Sequence, residues 1–546
     1  MVKKFTLLVM GAIFVMGTAM GGSTMAQKNG VNPLKGKVKA QQEHVAEFFK
    51  NHKVTSTRAM DAVTDIITNP VGEMKYYNKN TVGLYWFDEE ELVDAPALMV
   101  FGDNNEVYIQ DILTDWALGS FVKGEIKDDV ISVSLPQTVG YYPSYDCYIN
   151  AVLLKGEGED YEVTDVDSVN FLYDAESGEL LLDLPGEPYE YMLGYVYTLE
   201  GGIWDGDGDF YQEYSPMEGV NVAPADVTFE EYILKAGNFG YPVYVGIDSE
   251  NIYIKGMSAA MPLSVVIAKL DGNKATISQN QILGGYYTYW IYSKVVEEKG
   301  DKLVLCPATQ GYELNVDLEK KIISSANPDL YLCFNADLNE VYYLDLLQDF
   351  QILVQDTFAG TPANPYDLIY SDADYADYGM YGFIFELPAV STVGDVLKYE
   401  DLYYRVYVDG DLFEFIPDDM DYIYIGLDGP STEIPYMLDN WNDIQLLTNT
   451  MHYVGIYVDG VSTIGVQSVY NYNGEETLSD IVTLDIETGE VTNTPAGVDS
   501  LVSAPVVDSS YYDLNGRKIN DPSKGIFIKR STLSNGKVVT VKVIKR

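Results

Sequence analysis

The sequence predicts an all-β, multidomain protein, and three of its properties lead to that prediction. Hydrophobic residues make up 47% of the 546 residues, well above the level of chains that cannot build a core. Tyrosine, which favours strands and half-buried sheet surfaces, occurs 46 times. Short segments of alternating polar and apolar residues recur between turn-forming residues. A chain of this length is expected to contain about three or four domains.

The N-terminus has the order of a secretory signal peptide. Lys3 and Lys4 precede an apolar stretch that ends near Gly22, and small residues follow at Thr24 and Ala26. Residues 1–26 are therefore expected to direct secretion. A transmembrane anchor is the alternative, although the stretch is short for a bilayer and contains several glycines. No later apolar stretch is long enough to span a membrane, so we expect a mature chain without a transmembrane span.

The net charge of −49 is concentrated in the middle of the chain. Residues 28–58 carry seven Lys or Arg against two Glu, and residues 512–546 carry nine against two Asp. The acidic middle repels phosphate backbones, so nucleic acid is not expected as a partner. It either attracts cations or forms a well-solvated exterior. The basic segment 27–75 contains one stretch, Ala40 to Asn51, with the amphipathic spacing of a helix.

An internal repeat is the most informative feature of the sequence, with an offset of 145 residues. Residues 97–112 and 242–257 each contain an apolar strand, a four-residue polar turn and an alternating strand. Alternation on both sides of a polar turn predicts a β-hairpin in each segment. Matching segments continue downstream, which predicts two β-sandwich or small barrel domains. We place copy 1 at residues 76–222 and copy 2 at residues 223–360.

Aromatic clusters occur at the same place in both copies. Tyrosine and tryptophan present flat ring faces that stack on sugar rings, and their O–H or N–H groups add directed hydrogen bonds. The clusters therefore predict ligand sites; packing inside each sheet or at the junction between the copies is the alternative. The candidate ligand-binding residues are Tyr142, Tyr145 and Tyr148 in copy 1, and Tyr287, Tyr289 and Trp290 in copy 2.

A linker and a third sheet domain are predicted after copy 2. Residues 361–378 are rich in Pro, Asp and Tyr, which is typical of a linker. Asp409-Gly410 and Asp459-Gly460 each follow an alternating strand, which predicts two β-hairpins. A further alternating strand leads through a Gly-containing turn to a Ser-bearing strand at 478–481. This last hairpin resembles the closing hairpin of a fibronectin type III domain, which implies that residues 379–495 form a spacer or binding module.

The C-terminal segment, residues 498–546, is predicted to form a small sheet. Asn515-Gly516 is typical of a tight turn. Gly525 opens a second strand, and Val538 to Ile544 alternates as a third. A small terminal hairpin that stabilises the neighbouring domain is one interpretation of this segment.

Three separated pieces of this segment also resemble a known export signal, the C-terminal sorting domain of the type IX secretion system of Bacteroidetes. The pieces read YDLNGR, KGIFI and a basic end, in that order. The resemblance implies transport by the outer-membrane export machinery to the surface or outside of the cell, with the periplasm as the alternative location. The matching residues are Asp513, Leu514, Asn515, Gly516, Arg517 and Gly525.

The residues needed for common catalytic sites are scarce. Only three histidines occur, His44, His52 and His452, and no His-based metal spacing is present. The sequence lacks a G-x-S-x-G elbow and a phosphate-binding loop. His452 lies on a predicted strand and is interpreted as a histidine packed in a sheet. A hydrolase with two carboxylates stays open, because the 83 acidic residues do not single out a pair.

Calcium is the one candidate cofactor. Asp205, Asp207 and Asp209 have the spacing at the start of a calcium loop, but Phe210 occupies the position of the turn glycine. An acidic turn is the alternative interpretation. Cys306 and Cys333 are candidates for a disulfide, and three small buried apolar cysteines are the alternative.

These observations together predict a secreted or cell-surface, non-catalytic binding or adhesion protein. Its expected ligand is a polysaccharide or a host glycoprotein, bound through the aromatic clusters. A structural surface scaffold held by protein contacts and the two-carboxylate hydrolase are the alternatives.

Overall fold

The computed structural model describes residues 66–495 with short gaps, and the strands of the C-terminal segment. The gaps are residues 86–87, 115, 117, 143–146, 158–159, 199–202, 301, 373–379, 419–422, 441 and 459. The predicted helical stretch Ala40 to Asn51 lies outside the described residues. The prediction of an all-β, multidomain chain is confirmed: the described residues form forty strands and only short 3-10 turns, including Asp103–Asn105 and Tyr399–Asp401.

Copy 1 contains twelve strands, and eight of them close into a barrel. They pair in the order β1-β2-β3-β4-β5-β9-β10-β12, and β12 pairs again with β1. The remaining strands extend from β12 as a second sheet, β12-β11-β7-β6, with β8 beside β7. The strands are β1 Glu73–Tyr85, β2 Asp88–Phe101, β3 Glu106–Gln110, β4 Phe121–Lys127, β5 Val130–Ser134, β6 Gln137–Tyr142, β7 Cys147–Glu157, β8 Asp160–Val163, β9 Ser168–Tyr173, β10 Leu180–Asp183, β11 Tyr191–Tyr197 and β12 Ile203–Pro216.

Copy 2 has the same pairing order. A closed barrel, β13-β14-β15-β16-β17-β21-β22-β25, is accompanied by the sheet β18-β19-β23-β24, with β20 beside β19. The strands are β13 Phe229–Ala236, β14 Phe239–Ile247, β15 Asn251–Lys255, β16 Val265–Asp271, β17 Lys274–Ile277, β18 Ile282–Tyr286, β19 Tyr289–Lys299, β20 Lys302–Leu305, β21 Tyr312–Asp317, β22 Ile322–Ser325, β23 Leu330–Asn335, β24 Tyr343–Gln348 and β25 Gln351–Leu353.

The two hairpins on which the repeat was recognised are both present. In copy 1, β2 pairs with β3, and Met99 lies opposite Ile109. In copy 2, β14 pairs with β15, and Val245 lies opposite Ile254. These four side chains are buried, because alternation places every second residue on the core side of the strand. The copies differ in one strand. In copy 1 the single strand β12 belongs to both the barrel and the second sheet, whereas in copy 2 two separate strands take these places, β25 in the barrel and β24 in the second sheet.

The chain divides into two compact units. Unit 1 extends to Leu234 and includes Pro242–Ile352, so it holds nearly all of both copies. Unit 2 comprises Lys235–Tyr241 and the chain from Leu353 onward. Within the described residues, no helix is long and apolar enough to cross a membrane.

Unit 2 contains two sheets. Their orders are β26-β27-β32-β31 and β29-β28-β33-β35-β36-β40-β39-β37-β38, with β30 beside β28 and β34 beside β33. The strands are β26 Tyr366–Asp372, β27 Met380–Glu386, β28 Leu402–Val408, β29 Asp411–Leu412, β30 Ile434–Pro435, β31 Ile444–Leu446, β32 Met451–Tyr457, β33 Thr463–Tyr472, β34 Glu475–Leu478, β35 Ile481–Asp485, β36 Val491–Thr494, β37 Val506–Tyr512, β38 Lys518–Ile519, β39 Gly525–Leu533 and β40 Val538–Lys545.

The prediction that residues 361–378 form a linker is wrong, because strand β26 lies in the middle of this segment. Ile369 and Tyr370 pair with Ile384 and Phe383 of β27, so tertiary pairing overrides the polar composition of the segment. Residues 373–379 lie outside the described residues.

One of the two Asp-Gly hairpins is confirmed and the other is wrong. Asp409 and Gly410 both have positive φ, and Val408 lies opposite Asp411, as a two-residue hairpin requires. The strands on either side of Asp459-Gly460 do not pair: β32 pairs with β27 and β31, whereas β33 pairs with β28, β34 and β35. This connection therefore passes from one sheet to the other. The last predicted hairpin is present as β33 and β34, with Tyr472 opposite Glu475.

The C-terminal segment forms strands where they were predicted. Gly525 opens β39, and β40 covers Val538 to Ile544. β40 also pairs with β36, with Val491 opposite Ile544, so this segment extends the sheet of the preceding domain. Residues 513–517, which carry most of the sorting-tail motif, lie outside the described residues.

Candidate binding cleft between the two copies

The junction between the copies is built from β1 and β2 of copy 1 and from β18 and β19 of copy 2. The Trp290 indole N–H donates to the Asn78 side-chain oxygen at 3.0 Å, and its ring lies 6.3 Å from the ring of Tyr76. Trp290 and Leu263 pack on the apolar cluster of Tyr76, Leu98, Val100 and Phe121. Gly285 lies so close to Pro96 that a Cβ there would be 2.2 Å from the proline ring. The two copies are therefore in direct side-chain contact.

A cleft with a volume of about 430 Å³ opens beside this junction. That volume is in the range of pockets that bind small molecules. Five aromatic residues line it, two from copy 1 and three from copy 2: Tyr76, Trp116, Tyr244, Tyr286 and Tyr287. Lys79, Asp111 and Thr114 of copy 1 and Lys255 of copy 2 add polar groups. The cleft thus combines ring faces with charged and hydrogen-bonding groups from both copies.

Lys79 and Asp209 form a buried ion pair at the copy 1 side of the cleft. The Lys79 ammonium lies 3.5 Å from an Asp209 carboxylate oxygen and donates to the Ile112 carbonyl at 2.8 Å. Asp209 also accepts from Tyr85 O–H at 2.8 Å and from the Gln212 amide at 2.6 Å. Burial lowers the pKa of Lys79 to about 8, and the negative charge of Asp209 opposes that shift.

Thr114 connects this ion pair to the loop that follows β3. Its backbone N–H and its hydroxyl both donate to Asp209, each at 3.2 Å. Trp116, two residues later, donates its indole N–H to Asp207 at 2.9 Å. Both carboxylates lie on β12, so the buried aspartates fix the position of a loop that lines the cleft.

Asp111 is held in a backbone conformation that is unusual for a residue with a side chain. Its φ is +42°, in the left-handed region, and the equivalent residue of copy 2 is Gly256, with φ +78°. The equivalence follows from matching hydrogen bonds, because Asp111 N–H donates to Ser120 and Gly256 N–H donates to Ser264. Strain of this kind often marks functional positions.

Asp111 lines the cleft, and its carboxyl group accepts the Gly119 N–H at 2.9 Å. Burial raises the pKa of Asp111 to about 7, while hydrogen bonds from the 118–120 backbone and the charge of Lys79 oppose the shift. A carboxyl group that titrates near neutral pH in a cleft is a candidate functional group.

The aromatic residues predicted to bind ligand do not lie together in one site. Tyr287 lines the cleft. Trp290 is at the copy junction, which was one of the two alternatives for these rings. Tyr289 packs against Tyr342 with 5.5 Å between ring centroids, and Tyr148 against Tyr141 at 4.7 Å. Tyr142 is on β6, but its side chain is outside the described part, as is all of Tyr145.

The aspartates considered for calcium are on strand β12, so the acidic-turn interpretation is wrong. Asp207 and Asp209 are at most 2% exposed, and their carboxylates are held by Trp116, Tyr85, Thr114, Gln212 and Lys79. A calcium loop requires exposed oxygens on an irregular backbone, whereas β12 is paired on both sides. The side chain of Asp205 lies outside the described part. In the described ranges, no group of three or more His, Cys, Asp or Glu side chains could hold a metal ion.

Other residues singled out from the sequence are in cores. Cys147, Cys306 and Cys333 are all buried, and no disulfide joins Cys306 to Cys333, so of the two interpretations left open the one with small buried cysteines is confirmed. His452 is on β32 with no exposed surface, stacked on Phe385 at 5.6 Å, which confirms its interpretation as a sheet histidine. Burial lowers the pKa of His452 to about 4.

Sequence reasoning missed Lys79, Asp111, Trp116 and Lys255. A signal for Asp111 was available: in the alignment of residues 97–112 with 242–257, Asp111 stands opposite Gly256. Lys79 and Lys255 follow the alternation of their strands and carry no local motif. No family model matches this sequence, and no curated protein matches it significantly.

Proposed function

We propose that this is a secreted or cell-surface, non-catalytic binding protein that holds a sugar unit of a glycan in the cleft between its two copies. The observation that supports this proposal is the cleft itself, about 430 Å³ in volume, with five aromatic rings beside fixed polar groups. Sugars present an apolar ring face and a rim of hydroxyl groups, so they need both kinds of contact from a binding site.

The aromatic residues of the cleft differ in how they would contribute. Tyr76 and Tyr286 are less than 10% exposed, and Trp116 is 3% exposed, so these three form a rigid floor. Tyr287 is half-buried and has φ +50°, an outlier for a bulky residue. Tyr287 therefore offers a more accessible ring face than those three, on a backbone held in a strained conformation.

The proposed location depends on the two ends of the sequence. The N-terminal order of charged, apolar and small residues supports secretion. The C-terminal segment resembles a type IX sorting domain, so the outer-membrane export machinery is proposed as a partner. The fibronectin type III resemblance of residues 379–495 supports a spacer role for that domain. Polysaccharides and host glycoproteins are the proposed ligands at the surface.

The test uses the full chain without residues 1–26, incubated with a panel of polysaccharides and mucins. Retention on a polymer and release of reducing ends are both measured. Retention without release is the expected result. The absence of retention across the panel would contradict the proposal and favour a scaffold held by protein contacts.

Tyr287→Ala tests whether the cleft is the site. We expect at least a tenfold loss of retention, about 1.4 kcal/mol, with little change in melting temperature. Tyr189→Ala is a matched control, because Tyr189 is a tyrosine with a similar left-handed φ of +68° that does not line the cleft. Equal retention by the two variants would place the site elsewhere.

A glycan hydrolase is the second candidate, favoured by the raised pKa of Asp111 in the cleft. A carboxyl group that is still protonated near pH 7 suits a general acid in glycoside hydrolysis. Release of reducing ends by the wild type, and its loss in Asp111→Asn, would support this function over simple binding.

A further inference from the structure

Lys255 is a cation without a counter-ion in a strongly acidic protein. The chain has 83 acidic and 34 basic residues. Lys79, the other lysine of the cleft, is paired with Asp209. Lys255 is half-buried at the end of β15 and lines the cleft, yet it forms no ion pair with any carboxylate in the described part of the chain.

The surroundings of Lys255 make its charge costly. Burial lowers the pKa of Lys255, and no neighbouring charge offsets that shift. Removing an ammonium group from water destabilises it unless an anion or hydrogen-bond acceptors replace the lost hydration. An anionic group bound in the cleft would supply that interaction.

Tyr244 lies directly opposite Lys255 across the β14–β15 pair and also lines the cleft. Its side chain is 43% exposed. Directly opposed residues in an antiparallel pair project from the same face of the sheet, so an aromatic ring and an ammonium group are neighbours there. This combination can contact a sugar ring and a charged substituent on that ring together.

We propose that the cleft binds a sugar carrying an anionic group, a carboxylate or a sulfate, which pairs with the Lys255 ammonium. This proposal rests on the proposed function of the cleft as a glycan site. The net charge of −49 repels a polymer that is negatively charged along its whole length. At physiological ionic strength the repulsion is screened beyond about 8 Å, so a single negative charge in the cleft is affected mainly by the groups close to it. A glycan with one charged sugar, rather than a polymer charged along its whole length, is therefore the expected ligand.

The experiment compares oligosaccharides that differ by one charge, by titration calorimetry in 0.15 M salt, about physiological ionic strength. The probes are lactose against lactose 3′-sulfate, and the methyl ester of 3′-sialyllactose against free 3′-sialyllactose. We expect the charged member of at least one set to bind at least tenfold more tightly. The carboxylate and sulfate arms identify which anion is preferred.

The possible outcomes distinguish the proposed glycan site from its proposed preference for an anionic sugar. Equal binding of neutral and charged members would overturn the anionic preference and leave a neutral glycan site. Absence of binding by every probe, together with absence of retention on the polysaccharide panel, would overturn both proposals. Retention of neutral polymers alone would overturn only the anionic preference.

Lys255→Met tests the residue itself. We expect it to remove the preference for the charged probe, about a tenfold loss, so that charged and neutral probes bind equally. Lys269→Met is the matched control, because Lys269 is on the adjacent strand β16, is exposed and does not line the cleft. Lys255→Arg keeps the charge and should retain the preference, which distinguishes loss of charge from altered folding. An unchanged preference in Lys255→Met would overturn the assignment.

Discussion

Copy 1 and copy 2 share one topology but have different interiors. In copy 1, Leu193 of β11 lies opposite Asp209 of β12. In copy 2, Leu332 of β23, the strand equivalent to β11, lies opposite Leu347 of β24. Leu347 therefore occupies the position that Asp209 has in copy 1. Asp209 is held by Lys79, Tyr85, Thr114 and Gln212. Leu347 is followed by buried Phe350 and Ile352.

The comparison shows that the barrel does not require the charged core. Copy 2 closes the same barrel with Leu347 in place of Asp209, although it also buries Asp345 with a hydrogen bond from Ser258. Burial of a charge pair is seldom more stabilising than apolar packing. The polar network of copy 1 extends to Thr114 and to the cleft, whereas copy 2 contributes Lys255, which forms no ion pair among the described residues. The extra polar groups of copy 1 are thus better explained by the cleft than by the fold.

The largest effect is expected from breaking the buried ion pair. Asp209→Ala leaves the Lys79 ammonium buried without its partner and removes the acceptor of Tyr85, Thr114 and Gln212. We expect the free energy of unfolding to fall by about 3–5 kcal/mol in urea denaturation of the full chain.

Lys79→Met combined with Asp209→Leu makes this part of copy 1 resemble copy 2. Because both charges are removed together, the double variant should be more stable than Asp209→Ala. A double variant as unstable as the single one would show that the copies need different interiors to fold.

The next largest effect is a dependence of the free energy of unfolding on pH, which arises from Asp111. Its pKa is raised to about 7 in the folded protein, so its stabilising contribution is present below its ordinary pKa of 3.8 and is lost as the pH rises from about 4 to 7. Asp111 is half-buried, so we expect a decrease of roughly 1–3 kcal/mol over this range. Lys79, Tyr195 and Tyr286 are the titratable groups that interact with it.

Asp111→Asn is the control for this dependence. His452, with its pKa lowered to about 4, acts in the opposite direction: its contribution is present above its ordinary pKa of 6.5 and is lost as the pH falls towards 4. The measurement is therefore the difference in unfolding free energy between wild type and variant at each pH. A difference that stays constant from pH 4 to 7 would contradict the prediction.

The smallest effect is expected at the copy junction. Trp290→Phe keeps an aromatic ring beside Tyr76 but removes the hydrogen bond to Asn78. We expect a loss of about 1 kcal/mol in urea denaturation. A double-mutant cycle with Asn78→Ala should give a coupling energy of similar size, and a coupling near zero would show that the bond does not stabilise the junction.

Much of the fold could be predicted from local patterns. The two repeated hairpins, the Asp409-Gly410 turn and the β39 and β40 strands follow from alternation and turn residues, which act over a few neighbours. The same rule failed at Asp459-Gly460, because a turn sequence does not determine whether its flanking strands join one sheet or two. Of the predicted aromatic residues whose side chains the structure describes, only Tyr287 lines the cleft.

The sequence by itself determined the all-β class, the repeat and most strand positions, because alternation, glycine and tyrosine act locally on the backbone. The tertiary structure decided the cleft. Lys79 and Asp209 are 130 residues apart in sequence, and Asp111 and Lys255 are 144 apart, so no local pattern links them. Closure of one barrel brings the first pair together, and contact between the copies brings the second pair to one cleft. Burial in that arrangement then shifts the pKa values of Lys79, Asp111 and Lys255.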